Sequence, residues 1–116
     1  MWDTADIGVV GTNDEDMAVA LNRVRELQGG LVICSDGKVI AEIALPLCGL
    51  FSPDKVEAMV FRLDQVQLAA AALGCAFPDI RLTLSVLSTA GIPSLRICES
   101  GLVDVKAGQL VGLFVD

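Results

Sequence analysis

The sequence predicts an α+β fold, with a mainly antiparallel sheet of about six strands and two long helices packed on it. Two long stretches repeat apolar residues every three or four positions, which is the pattern of a helix with one buried face. An Asp-Gly pair between two apolar runs indicates a hairpin, and further short apolar runs between turn residues indicate more strands. With 116 residues, the whole chain (1–116) is expected to be one domain.

The apolar segment 7–10 predicts the first strand, and the acidic segment 11–17 predicts a turn from that strand into a helix. Asn13 and Asp14 are expected to cap this helix, because such side chains bind its free N–H groups and offset its dipole. The alternative interpretation is a loop that faces a ligand, a cation or a neighbouring domain. Gly29-Gly30 predicts the end of the helix.

Segments 31–34 and 39–45 are predicted to pair as a hairpin about Asp36-Gly37, which tolerates the positive φ angles of a type I′ turn. Glu42 interrupts the apolar pattern of the second strand. We expect this carboxylate either to reach the end of the sheet or to find a partner, because an unpaired buried charge is costly.

The loop 47–51 is apolar, although loops normally lie in water. It either tucks under the next helix or docks on a partner, and the sequence favours neither. Ser52 as the cap and Pro53 at the first helical position predict the start of the second helix, and Gly74 predicts its end. The expected buried stripe of this helix comprises Val56, Met59, Val60, Leu63, Val66, Ala70 and Leu73.

The last third of the chain is expected to complete the sheet. Alternation of residue types in segment 81–87 favours a strand, with Thr83 and Ser85 on its outer face. Further strands are predicted at 95–98 and 110–115, with a brief pairing at 102–105.

The composition is 53% hydrophobic and the mean hydropathy is +0.64, which is high for so small a domain. Small domains have much surface and little interior, so some apolar side chains are expected to remain outside. Contiguous apolar surface usually marks an interface. We therefore expect another domain or subunit to cover one face.

Other classes of function are not expected. The net charge is −7 and the eight basic residues are scattered, which argues against nucleic-acid binding. No apolar run approaches the ~20 residues that span a membrane, and the polar start does not resemble a signal peptide. The four cysteines form no C-x-x-C pair and are expected to be reduced core thiols of a cytoplasmic protein: Cys34, Cys48, Cys75 and Cys98.

The chain contains no histidine, so it lacks the commonest general base and the commonest transition-metal ligand. Nucleophile chemistry of the Ser-His-Asp or Cys-His kind is excluded for the same reason. The consecutive carboxylates 14–16 diverge in direction at a helix start, so a metal site there is not expected. Neither a catalytic residue nor a metal ligand is therefore predicted in this chain.

Several stretches, taken in order, resemble the C-terminal domain of bacterial and archaeal adenine deaminases. They include Val-Val-Gly-Thr-Asn-Asp-Glu-Asp-Met at 9–17, the Asp-Gly-Lys turn at 36–38 and Glu-Ile-Ala-Leu-Pro at 42–46. The Cys-Gly-Leu loop at 48–50 and Gly-Leu-Val-Asp-Val at 101–105 continue the resemblance. It extends over nearly the whole chain.

The resemblance implies a setting for the chain. Full-length enzymes of this family resemble other amidohydrolases, in which a (β/α) barrel holds a Mn or Fe pair that activates water. That water converts adenine to hypoxanthine and ammonia. The chain would then be an accessory, non-catalytic domain that covers the barrel or builds the oligomer. The alternative is a stand-alone binding or oligomerisation module derived from that domain.

The family commonly reads His-Asp-Ser-His-Asn just before the first strand, in register with segment 2–6 of this chain. Only Asp3 is kept, because Trp2 and Ala5 stand at the two histidine positions. The resemblance therefore carries over Asp3 as a candidate substrate-binding residue, and the acidic turn adds Asn13 and Asp14 as further candidates.

Overall fold

The computed structural model describes residues 1 and 4–114, and in that part of the chain the fold is α+β. The elements are α1 (Asp14–Glu26), β1 (Gly30–Ser35), β2 (Lys38–Ala44), α2 (Val56–Ala72), α3 (Ile80–Ser85), β3 (Leu95–Cys98), β4 (Gly101–Asp104) and β5 (Gln109–Val111). The strands form two antiparallel sheets, one of β1 and β2 and one in the order β3-β4-β5. The fold class is confirmed, whereas the expectation of a single sheet of about six strands is wrong.

The hairpin of β1 and β2 follows the sequence prediction closely. Asp36 (φ 52°) and Gly37 (φ 71°) form its turn, and both have the left-handed φ that a type I′ turn requires. Gly30 begins β1 with φ 145°, and a Cβ atom there would collide with the backbone of Ile43 across the ladder. Only glycine therefore fits at this crossing point.

Helices α1 and α2 both pack on this hairpin, α1 mainly on β1 and α2 mainly on β2. The centre of the contact is the one deeply buried cluster of the described residues, formed by Ile43 (0% exposed), Val66 (2%) and Ala70 (5%). The hydrophobic core thus lies between β2 and the middle of α2.

An ion pair joins α1 to β2 at the edge of this core. Arg23 Nε donates to Glu42 Oε2 at 2.7 Å, and its Nη2 donates to Oε1 at 2.9 Å, so the contact is bidentate. Arg23 also donates to Glu26 at 2.8 Å. The hydrogen bonds from Arg23 hold the pKa of the Glu42 carboxyl below its ordinary value, although partial burial raises it somewhat. Of the two interpretations of Glu42, the end of the sheet or a partner, the structure shows the partner.

Helix α2 begins three residues later than predicted. Its N-cap is Lys55, while Ser52 Oγ accepts from Asp54 N at 3.1 Å and so closes a turn before the helix. Of the expected stripe, Val66 and Ala70 are buried. The others are half-buried (Met59 and Leu63) or exposed (Val56, Val60 and Leu73). The core reaches only the middle of this helix because the hairpin beneath it has two strands.

Segment 81–87 is not a strand, because residues 80–85 form α3. Asp79 caps this helix, accepting from Leu82 N at 2.8 Å, and Thr83 Oγ1 donates to the Asp79 carbonyl at 2.8 Å. The Gln67 side chain on α2 fixes the preceding turn through Phe77 O and Ile80 N. The alternation of residue types predicted a strand, but the local capping decides for a helix. In that helix the Thr83 hydroxyl bonds a backbone carbonyl instead of facing outward from a sheet.

Two further strand predictions are corrected. Segment 7–10 forms no ladder within the described residues, and Ile7, Val9 and Val10 are exposed. A strand needs a neighbour to satisfy its backbone, and no strand among residues 4–114 pairs with this segment. The last strand ends at Val111 rather than continuing to 115, and residue 115 lies outside the described residues.

The sheet of β3, β4 and β5 lies apart from the first sheet. No helix within residues 4–114 packs extensively on it, since the helix contacts fall on β1 and β2. The expectation that helices cover the sheet is therefore confirmed for the hairpin and wrong for the C-terminal strands.

The chain is extended for its size. Its radius of gyration is 15.1 Å, whereas a compact domain of this length has about 13.4 Å. It exposes 8030 Å², whereas a folded monomer of 12.2 kDa exposes about 6,100 Å². No helix among residues 4–114 is long and apolar enough to cross a membrane.

The buried cluster predicts a sharp difference between two isoleucines of β2. Replacing Ile43 by Ala should lower the free energy of unfolding by about 2–5 kcal/mol, because the side chain is fully enclosed. Ile40→Ala on the same strand, where Ile40 is 46% exposed, should cost under about 1 kcal/mol. Urea unfolding of the two variants compares them directly, and equal losses would contradict the placement of the core.

The ion pair predicts an acid-dependent contribution to stability. Because the pKa of Glu42 in the folded chain lies below its ordinary value of 4.5, its stabilising effect is present above that pH and is lost as the pH falls through the lowered pKa. Glu42→Gln should therefore destabilise the chain at pH 7 and make its stability less dependent on pH below about 4.5. The pair is about one-third exposed, so the effect should be modest.

The control for this experiment is Glu57→Gln, because Glu57 lies exposed on α2 and forms none of the ion pairs seen among the described residues. Urea unfolding across pH 3–7 should separate the two variants. A Glu42→Gln profile that runs parallel to that of the unsubstituted chain would rule out this role for the pair.

Candidate functional site

The acidic turn before α1 is a junction between the helix and the hairpin. Asn13 Oδ1 accepts from Asp16 N at 2.8 Å, and Asn13 Nδ2 donates to Asp16 Oδ2 at 2.9 Å. The other oxygen of Asp16 accepts from Gly37 N at 2.7 Å. The hydrogen bond from Asn13, followed by that from Gly37, holds the pKa of the Asp16 carboxyl below its ordinary value.

The cap prediction is confirmed for Asn13 and wrong for Asp14, which is the first residue of the helix and is exposed. Asp16 makes the tie to the hairpin that the sequence did not assign. Within residues 4–114, no group of three or more His, Cys, Asp or Glu side chains lies close enough to hold a metal ion. The hydrogen bonds of Asn13 and Asp16 tie the start of α1 to the hairpin turn. A substrate-binding role for Asn13 and Asp14 stays a prediction.

A shallow polar cleft lies between the N-terminal segment and the loops around β3. Thr4 and Asp6 line one wall. The rest of the lining comprises Ser88, Ala90, Cys98, Glu99 and Ser100. Thr4 Oγ1 lies 3.4 Å from Ser88 Oγ, and the Cys98 thiol donates to the Ser88 carbonyl at 3.5 Å. Hydroxyls and carboxylates are thus brought together from positions far apart in the chain.

This cleft offers hydrogen-bonding groups rather than a reaction centre. Its carboxylates, Asp6 and Glu99, are exposed, and it contains no imidazole that could act as a base. Thr4 and Asp6 belong to the segment in register with the family motif, so these two of its residues lie at a cleft. Asp3, the candidate carried over from the motif, lies outside the described residues.

Sequence reasoning missed Ser88 and Glu99, because no local pattern marks them. Their place in the cleft depends on a contact between residues 84 positions apart, Thr4 and Ser88. Glu99 was identified only as part of a turn, which fits the β3–β4 connection. Neither residue type nor spacing predicts such a long-range contact.

The apolar loop 47–51 presents its side chains outward. Its backbone closes on itself through Leu47 and Phe51, whose N–H groups donate to each other's carbonyls at 3.2 and 3.1 Å. Gly49 approaches Gly29 so closely that a Cβ atom on Gly29 would collide with it. The loop thus packs through its backbone, leaving Leu47 (53%) and Phe51 (64%) exposed. The interpretation that the loop tucks its side chains under the next helix is therefore wrong for Leu47 and Phe51, and docking on a partner stays a prediction.

All four cysteines are free, but the expectation of buried thiols is wrong for Cys48, which is exposed on the apolar loop. The other three are half-buried. Burial raises the pKa of the Cys34 thiol, and the nearby carboxylates of Asp16 and Glu42 raise it further. Cys34 is therefore kept protonated rather than activated as a nucleophile.

Comparison with known proteins gives one consistent result. The family model described as the adenine deaminase C-terminal domain matches residues 1–109. The chain is 45% identical over 113 residues to an adenine deaminase of Kosmotoga olearia, covering 97% of this chain and 20% of that protein. It is 46% identical over 110 residues to adenine deaminase 1 of Rhizobium meliloti, covering 95% of the chain and 20% of that protein.

A third relative, the adenine deaminase of Thermosipho melanesiensis, is 37% identical over 114 residues, covering 98% of the chain and 20% of that protein. The chain thus spans about one-fifth of the length of the curated relatives it matches. The match runs along nearly the whole chain, and the part of each relative that it covers is the C-terminal one. The chain therefore belongs to the adenine deaminase C-terminal domain family.

Proposed function

We propose that this chain is the accessory, non-catalytic C-terminal domain of a metal-dependent, cytoplasmic adenine deaminase. The parent enzyme would convert adenine and water to hypoxanthine and ammonia. The domain would pack on the catalytic barrel and cover part of it, so that the barrel and this chain share an apolar interface.

The observation that carries this proposal is the unburied apolar surface. The surface of the chain exceeds that of a compact monomer of its mass by about 2,000 Å². A surplus of this size on one partner exceeds the ~800 Å² per partner that a standard interface buries. Relatives that match this chain carry about four-fifths of their length outside the matched region, which is enough protein to cover that surface.

The side chains present do not fit a catalytic metal pair. The chain has no histidine, and residues 4–114 gather no cluster of possible ligands. We therefore place the Mn or Fe pair of the parent enzyme outside this chain. The role left for these residues is to pack against the catalytic part and to limit the access of water to it.

The alternative function is a stand-alone oligomerisation module. The specific observation in its favour is that β5 pairs only with β4, so its other edge has no strand beside it within the described residues. Such an edge can pair with a second copy of the chain. This alternative predicts a stable homo-oligomer without any barrel.

The proposal predicts that this chain is inactive alone and that it supports the activity of a complete enzyme. Purified chain with adenine and Mn²⁺ should release no ammonia. A chimera in which this chain replaces the matching C-terminal fifth of the Kosmotoga olearia enzyme should release ammonia. The same enzyme without its C-terminal fifth should lose activity, thermal stability or its oligomeric state, because the apolar surface that the domain covers would face water.

The control is the unaltered relative, assayed at the same protein and metal concentrations. Turnover by the purified chain would contradict a non-catalytic role. Full activity, stability and assembly of the shortened enzyme would contradict an accessory role. In sedimentation, a stable homo-oligomer of the purified chain that does not associate with the catalytic part would favour the stand-alone module instead.

A further inference from the structure

Segment 7–10 has the composition of a β-strand but no sheet to belong to. It reads Ile-Gly-Val-Val, and β-branched apolar residues of this kind favour strands, yet all four residues are exposed. No backbone N–H or C=O group of the segment hydrogen-bonds to another described residue. The segment therefore lacks the neighbour that a strand requires.

Strand β1 lacks a neighbour as well. It reads Gly-Leu-Val-Ile-Cys-Ser and is apolar on both of its alternating faces, which is typical of an inner strand of a parallel sheet. It pairs only with β2, so its other edge has no strand beside it within residues 4–114. Natural edge strands commonly carry charges, as β2 does at Lys38 and Glu42, whereas β1 carries none.

Helix α1 connects these two parts with the geometry of a β-α-β unit. Its start lies at the hairpin turn, because Asp16 accepts from Gly37 N at 2.7 Å. Its end lies at the opposite end of the hairpin, where the Gly29 carbonyl accepts from Leu45 N at 3.0 Å. Because α1 packs along β1 in the reverse direction, a strand before α1 in the same sheet runs parallel to β1. The connection 11–29 exceeds the roughly twelve residues that such a crossover needs.

We propose that segment 7–10 adds to the free edge of β1 as a third strand, parallel to β1. Residues 11–13 suffice as the turn into α1, because βα connections usually have about two to six residues. The new ladder satisfies unpaired backbone groups on both sides. It also covers part of the exposed side chains of Ile7, Val9 and Val10, since strand neighbours shield one another.

The structure shows the segment in an open position. Thr4 Oγ1 lies 3.4 Å from Ser88 Oγ, which holds the start of the segment beside the C-terminal strands. Pairing with β1 requires this contact to break, so the segment has an open and a closed position. In the closed position its start lies at the Gly30 end of β1. The apolar loop 47–51 packs on Gly29 at that end, so the polypeptide before residue 4 then enters beside this loop.

The occupant of the β1 edge is the segment of the same chain. The short connection 11–13 keeps it within reach of that edge, whereas an exchange between copies brings together two chains of net charge −7. Other open edges fit the segment less well. Strand β2 is charged, and at the outer edge of β3 Ile97 N already donates to the Leu87 carbonyl at 3.0 Å.

NMR spectroscopy of the purified chain tests this pairing. Nuclear Overhauser effects should connect amide and α protons of residues 7–10 with those of residues 31–35. Amides of the closed ladder in 7–10 should exchange at least about tenfold more slowly than in an unstructured peptide. Thr4→Val keeps the shape of the side chain but removes the hydroxyl that faces Ser88. This variant should increase the protection, because it releases the open position.

Val9→Pro and Val10→Pro form a matched pair of disrupting variants. Alternate N–H groups of a strand face its neighbour, so only one of these substitutions removes a donor from the ladder. That variant should lose the protection of segment 7–10 and of the outward-facing amides of β1. The other variant should keep most of it, because proline is tolerated on an edge strand where its nitrogen faces solvent.

Unprotected amides in 7–10 and no cross-strand effects, in both the unsubstituted chain and Thr4→Val, would overturn the proposal. Cross-strand effects found only between labelled and unlabelled copies would assign the edge to a second copy and overturn it too. A proline variant that unfolds is recognised by the loss of effects between β1 and β2, and Thr4→Val then decides. The proposed function does not depend on these outcomes, because it does not use the β1 edge.

Discussion

Burial of apolar surface is the constraint on which the rest of this structure depends. The chain is 53% hydrophobic, yet the described apolar side chains that are fully enclosed are only Ile43, Val66 and Ala70. Burial of such surface is the main favourable term in folding, so a chain that leaves it in water forgoes much of its stability. The extended shape and the outward-facing loop both follow from this shortage of covering layers.

The constraint acts differently on the two sheets. Helices α1 and α2 both pack on the hairpin of β1 and β2. Two polar contacts join α1 to it: Arg23 bonds Glu42 on β2, and Asp16 bonds the hairpin turn at Gly37. The sheet of β3, β4 and β5 has no such layer within residues 4–114. In the proposed enzyme, another part of the polypeptide would cover apolar surface that this chain leaves exposed.

The sequence predicted those elements whose causes are local. The cap at Asn13, the turn at Asp36-Gly37 and the helix periodicity depend on neighbouring residues, and the structure confirms them. The strand prediction for segment 81–87 was wrong because it relied on the alternation of residue types. The Asp79 side chain caps a helix there, and the Thr83 hydroxyl donates to the Asp79 carbonyl, so both contacts favour the helix.

Two features could not be predicted from the sequence, the division into two sheets and the polar cleft, because both depend on long-range contacts. The division into two sheets depends on which strands meet, and the cleft depends on a contact between Thr4 and Ser88. High hydropathy did predict that apolar surface would remain exposed. It did not predict where that surface would lie, because this depends on which strands pair and on which sheet the helices pack.

The most direct test of incomplete burial is the heat-capacity change on unfolding of the purified chain, measured by calorimetry. This quantity scales with the apolar surface exposed on unfolding, and a fully packed domain of 116 residues should give about 1.4–1.7 kcal/mol/K. The account predicts a value clearly below that range, because much of the apolar surface is already in contact with water. A value within the range would contradict it.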